Sequence, residues 1–108
     1  INISRSNNLT VISVSGRMDA VTAPEFEKSL SELISKGEKR FLINFSGLDY
    51  ISSAGLRAIL STAKLVNSKS GKFVLAGVNG SVKQVFDISG LSPIFTMTAT
   101  ETEALKLV

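Results

Sequence analysis

Two adjacent serines, Ser52 and Ser53, sit in the stretch Leu48-Asp49-Tyr50-Ile51-Ser52-Ser53-Ala54-Gly55-Leu56 and are the side chains here with the clearest chemical use. A serine hydroxyl can cap a helix, attack an electrophile or accept a phosphoryl group. Attack needs a base, and this chain of 108 residues contains no histidine and no cysteine. That removes a Ser-His-Asp relay, imidazole acid–base work and the usual zinc sites. The carboxylates of Asp19, Asp49 and Asp87 are spread along the chain and read as loop and cap residues, Asp49 as a turn residue, rather than as an acid–base pair. Gly47 and Gly55 flank the serines, but the stretch lacks the lysine and the spacing of a P-loop. The residues therefore predict no catalytic centre, no metal site and no cofactor. Capping and phosphoryl acceptance are what remain.

The flanking residues say where those hydroxyls must stand. Arg40 to Phe45 is a short, mostly apolar run that reads as a buried strand. Leu56, Ile59, Leu60, Ala63 and Val66 then recur at helical spacing, which predicts a helix starting at or just after the serines. One serine in such a place serves as the N-cap, its oxygen accepting from an orphan backbone N–H for about 0.5–2 kcal/mol. Those N–H groups and the helix dipole also favour negative charge, so the same position tolerates a phosphate. Spacing alone favours the cap and does not raise phosphorylation above it.

Three segments carry a resemblance. Tyr50-Ile51-Ser52-Ser53-Ala54-Gly55-Leu56 resembles the signature loop of STAS domains, the family of bacterial anti-sigma factor antagonists, which commonly reads aromatic-apolar-Asp-Ser-Ser/Thr-Gly-Leu. On that match Ser53 takes the phosphorylated position, Ala54 the following Ser/Thr and Gly55 the glycine, while Ser52 stands where Asp is usual. Val82 to Leu91 is similar to the family's helix ending in Ser-Gly-Leu, here Ser89-Gly90-Leu91. Gly16-Arg17-Met18-Asp19, followed by Thr22-Ala23, resembles the loop before the family's first helix, whose Asp lies near the phosphorylated serine. The three occur in the family's order and span nearly the whole chain.

What the resemblance implies is a cytoplasmic binding switch rather than an enzyme. Unmodified, it would hold an anti-sigma factor, often itself a serine protein kinase, and so free a sigma factor. The kinase would phosphorylate Ser53 (Ser52 is the second choice), and a serine phosphatase would reset it. Asp19, Asp49, Tyr50, Ser52, Ser53, Ala54, Gly55 and Arg57 lie on or beside the loop and form the candidate contact set. Leu56 reads as core, and Arg57 by itself reads as a solvated helix residue. Two other readings come from different classes. A STAS domain can act as an unphosphorylated scaffold or transport-complex subunit, a reading that Ser52 in place of Asp favours. Nucleotide binding at the same helix N-terminus is the third.

Composition sets wider bounds. The chain is 44% hydrophobic with a mean hydropathy of +0.26, enough for one core and hence a single domain over 1–108. No apolar run approaches the roughly 20 residues of a membrane helix, and no secretory leader is expected. The formal charge of +3 comes from scattered lysines and arginines with no run longer than Lys39-Arg40, which gives no nucleic-acid groove. In chain order, Ile1–Arg5 and Leu9–Ser15 read as strands around a Ser6-Asn7-Asn8 turn, and Gly16–Val21 as a loop. Thr22-Ala23-Pro24-Glu25 has capping-box spacing before a helix with a Phe26, Leu30, Leu33, Ile34 stripe, ended by Gly37. Beyond the serine helix, Lys72–Val78 is a strand, and Val82, Val85 and Phe86 mark a short helix closed by Gly90. Ile94–Met97 is a last strand, and Thr100 or Thr102 caps a terminal helix. Strands alternating with helices after a hairpin predict an α/β layer structure: a mixed, mostly parallel sheet of about five strands with about four helices.

Overall fold

The structure, a computed structural model, describes residues 1–6 and 8–108. Strands β1 (Asn2–Ser6) and β2 (Leu9–Ser13) form an antiparallel hairpin. Asn8 takes φ 66°, the left-handed conformation that asparagine tolerates in a tight turn. Asn7, the other residue expected there, lies outside the described residues. The remaining elements are β3 (Gly16–Met18), α1 (Ala23–Ser35), β4 (Arg40–Asn44), β5 (Leu48–Ile51), α2 (Ser53–Ser68), β6 (Lys72–Ala76), α3 (Gly80–Ile88), β7 (Thr96–Thr98) and α4 (Glu101–Leu105). A 3₁₀ turn, Ser92–Ile94, leads into β7. The main sheet has the order β1-β2-β4-β6-β7, and every pairing after the hairpin is parallel. A mixed, mostly parallel five-stranded sheet with four helices is what the alternation of elements predicts.

Both faces of this sheet are covered, but unequally. On one side Ile12, Val14, Phe41, Ile43, Phe45, Phe73 and Leu75 pack against Phe26, Leu30 and Ile34 of α1 and Leu56, Ile59, Ala63 and Val66 of α2. Phe26, Phe41, Phe45 and Phe86 are completely buried, each side chain worth roughly 1.5–3 kcal/mol in transfer from water. On the other side Leu9, Leu42, Val74 and Ala76 form a smaller cluster with Ala104 of the short α4, Val108 beyond it and the partly buried Val11. Strands β4 and β6 are buried on both faces, which is why they read as unbroken apolar runs rather than alternating ones. Among the described residues no helix is long and apolar enough to cross a membrane.

The helix stops follow one design. After α1, Gly37 at φ 96° donates to Ile34 O (3.0 Å) while Glu38 N reaches Leu33 O (3.1 Å), a Schellman closure that requires the left-handed region. The same pair of bonds closes α2, where Ser70 rather than glycine takes the left-handed position at φ 60°.

Four expectations need correction. Gly16–Val21 is not all loop, because Gly16–Met18 forms β3 and pairs in parallel with β5 at the start of the serine stretch. Three or four residues are too few for periodicity to register. The Thr22–Glu25 capping box does not form: Thr22 has helical dihedrals and makes no side-chain cap bond. Its hydroxyl donates to Arg17 O (2.9 Å), and Asp19 holds the helix start instead. The last strand begins at Thr96, not Ile94, since Pro93 fixes a 3₁₀ turn ahead of it. Strands β2 and β6 stop two residues early, at Ser13 and Ala76.

Candidate functional site

The site is built where β5 turns into α2. Ser52, extended at φ −95° and ψ 173°, is the N-cap, and its Oγ accepts from Gly55 N at 3.2 Å. Its carbonyl receives the first helical bond from Leu56 N (2.9 Å), and its own N–H donates to Met18 O (2.9 Å). That last bond continues the β3–β5 ladder by one residue and ties the serine turn to the loop before α1. Ser52 is therefore structurally committed. Ser53, the first residue of α2, is exposed. The capping serine and the free serine are different residues.

Gly55 explains how α2 gets so close to β3. A Cβ at this position would lie 2.6 Å from Met18 O, 2.7 Å from Met18 Cγ and 2.9 Å from Ile51 Cγ1. Real carbon atoms do not approach that near, and a backbone carbonyl cannot yield cheaply. Gly55 is buried, so its part is packing rather than contact, and Leu56 behind it is core. Ala54 is half-buried.

Beside the serines, Asp19 is locked in place. Its Oδ1 accepts from Val21 N (3.0 Å) and Thr22 N (3.1 Å), and Arg17 Nε donates to Oδ2 (3.4 Å). Thr22 Oγ1 accepts in turn from Asp19 N (2.9 Å). The N–H groups of Thr22 and Val21, with help from Arg17, hold the Asp19 carboxyl below the usual carboxylate value of 3.8. The Arg17 guanidinium lies 4.1 Å from the centre of the Tyr50 ring, a cation–π contact across the β3–β5 pair, in which Arg17 is the register partner of Tyr50. Asp49 is exposed and is tied in through its backbone, whose carbonyl accepts from Ser81 Oγ of α3 (3.3 Å). Arg57 is exposed, one helical turn beyond Ser53.

The structure thus brings Asp19, Tyr50, Ser52, Ser53 and Gly55 together through the small β3–β5 sheet, with Ala54 and Arg57 following on α2 and Asp49 at the α3 side. The residues missed as members of the site are Arg17, Thr22 and Met18. Arg17 and Asp19 are two residues apart, the spacing of one strand face, and that signal was available in the sequence. The carbonyl of Met18 had none.

The family model of the STAS domain matches residues 1–104. The chain belongs to the STAS domain family. Its relatives include a candidate anti-sigma factor antagonist, BtrV, of Bordetella bronchiseptica, 34% identical over 95 residues that cover 88% of this chain and 82% of the relative. The anti-sigma-B factor antagonist of Staphylococcus aureus is 28% identical, with 85% and 86% covered. Among solved STAS structures, a candidate anti-sigma factor antagonist from Thermotoga maritima superposes with a TM-score of 0.93 at 23% identity over 99% of this chain and 92% of that one. The Bacillus cell-fate determinant SpoIIAA, solved in a phosphorylated form, has a TM-score of 0.77 at 24% identity over 97% and 96%. These structures share the fold; the sequence relatives carry the antagonist description.

Proposed function

We propose that this STAS domain is an anti-sigma factor antagonist whose grip on its partner is released by phosphorylation of Ser53. The observation that carries the reading is the division of labour between the two serines. Ser52 spends its hydroxyl on the cap, whereas Ser53 presents an exposed hydroxyl with no hydrogen bond among the described residues. The curated relatives support the antagonist assignment, and the phosphorylated form of SpoIIAA supports the modification.

The energetics suit a switch. A phosphate adds about −1.5 to −2 charges at neutral pH. The free N–H groups of the first turn of α2 accept that charge without refolding. A partner packed against a neutral serine offers that charge no counter-ion of its own and must instead desolvate it, which costs roughly 3–5 kcal/mol, or about 10²–10⁴ in Kd. Asp19, already ionised and fixed, adds to the repulsion. The partners are an anti-sigma factor acting as serine kinase, and a phosphatase that restores the alcohol. Tyr50, Arg17, Asp19, Asp49, Ala54 and Arg57, on or beside the serine loop, supply the contact surface in this reading, with Gly55 keeping α2 close to β3. The scaffold and nucleotide-binding readings have no comparable observation behind them.

Incubation with candidate anti-sigma kinases and ATP, followed by mass spectrometry, tests the assignment. One phosphate on Ser53, with loss of a complex that had formed before ATP, is the expected result. A phosphate on Ser52, or a complex that survives full modification, overturns it.

A further inference from the structure

Arg57 is the cation that the contacts around Ser53 leave unassigned. Arg17 is engaged by Asp19 and by the Tyr50 ring, whereas Arg57 has no hydrogen-bond or ion-pair partner among the described residues and projects into solvent. It stands four residues after Ser53, and both belong to α2. Residues at that spacing have Cβ atoms about 5–6 Å apart on one helix face. Helical side chains lean toward the N-terminus, so an arginine covers the turn that precedes it, which here is the turn of Ser53. An acidic group N-terminal to a basic one at this spacing is also the favoured orientation. In the unmodified chain the position in front of Arg57 is a neutral alcohol, and the pair is idle.

We propose that Arg57 is a phosphate-binding residue, the internal counter-ion of phosphorylated Ser53, which closes onto the phosphomonoester dianion as a bidentate guanidinium clamp. This rests on Ser53 being the modified residue. Arginine suits the task because its planar fork matches two phosphate oxygens, which a lysine ammonium cannot do. Modification then changes the surface twice, adding an anion at Ser53 and withdrawing the Arg57 cation from the partner's reach. Arg17 stays with Asp19 and Tyr50, because leaving them would expose an ionised carboxylate to a second anion.

The test uses this chain with phosphoserine placed at position 53 by genetic encoding, so that it needs no kinase and its failure is separate from failure of the switch. Phosphorus NMR follows the second ionisation of the phosphate, which for free phosphoserine lies near pH 6. Arg57→Gln is expected to move that ionisation up by roughly 0.15–0.4 pH units, Arg57→Lys to move it up by less, and Arg17→Gln to leave it in place. Salt should erase the difference between wild type and Arg57→Gln. No shift on Arg57→Gln, or a larger shift on Arg17→Gln, would overturn the proposal. Arg57 and Arg17 are both exposed, so neither replacement opens buried space, and circular dichroism checks the fold of each variant.

Discussion

Ser52 and Ser53 are neighbours of one type with separate duties, and substitution should pull them apart. Ser52→Ala removes the oxygen that Gly55 N donates to and is expected to cost about 1 kcal/mol of stability, read from urea unfolding. Ser53→Ala removes no hydrogen bond and should stay within about 0.5 kcal/mol of wild type, while binding the partner constitutively. If the two variants lose equal stability, the cap has been assigned to the wrong hydroxyl. Gly55→Ala is the harsher change, because its methyl would meet Met18 O at 2.6 Å. Overpacking of this kind costs typically about 1–3 kcal/mol. Amide shifts should spread into β3, and an alanine that leaves both stability and the Met18 and Asp19 signals untouched would contradict the close approach.

The element that matters most is also the one the sequence showed least. Helices α1 and α2 and strands β4 and β6 are legible because apolar side chains repeat over several turns or fill a run buried on both faces. The β3–β5 ribbon is only three or four residues on each strand, and its pairing comes from tertiary contact, so no local pattern announces it. The serine loop and Asp19 were visible through motif resemblance. Their being stitched together by the bond from Ser52 N to Met18 O was not. Thr22 shows how a spacing rule can fail: it has the right residue three before a glutamate, yet Asp19 is a better acceptor and takes the helix start. Asp19 also gives this element a pH signature. Folding holds its carboxyl below 3.8, so the stability it contributes is present above that value and is lost as pH falls through the folded-state value. Asp87, lowered by Ser92 and Lys83 at the end of α3, behaves the same way. Urea titrations at pH 7 and pH 3 should show a smaller acid-induced loss in Asp19→Asn than in wild type. An unchanged acid limb would mean that the Val21 and Thr22 bonds contribute nothing.

At the scale of the molecule, the sheet and the α1–α2 layer form a rigid block, and the changeable chemistry sits at its rim. The core residues Phe26, Phe41, Ile43, Ile59 and Leu75 are completely buried, and none of them is asked to move when Ser53 changes charge. A phosphate at the exposed start of α2 should therefore leave circular dichroism and core amide shifts as they were, with changes confined to Gly16–Thr22 and Tyr50–Arg57. Tyr50 is the only tyrosine and the chain has no tryptophan, so intrinsic fluorescence reports on this rim alone. The most direct trial of the account is the affinity of purified anti-sigma partner for the unmodified chain and for the chain carrying phosphate at Ser53, measured by calorimetry under one salt condition. The account expects the phosphorylated form to bind about 10²–10⁴ weaker with its fold intact; equal affinity for the two forms would contradict it.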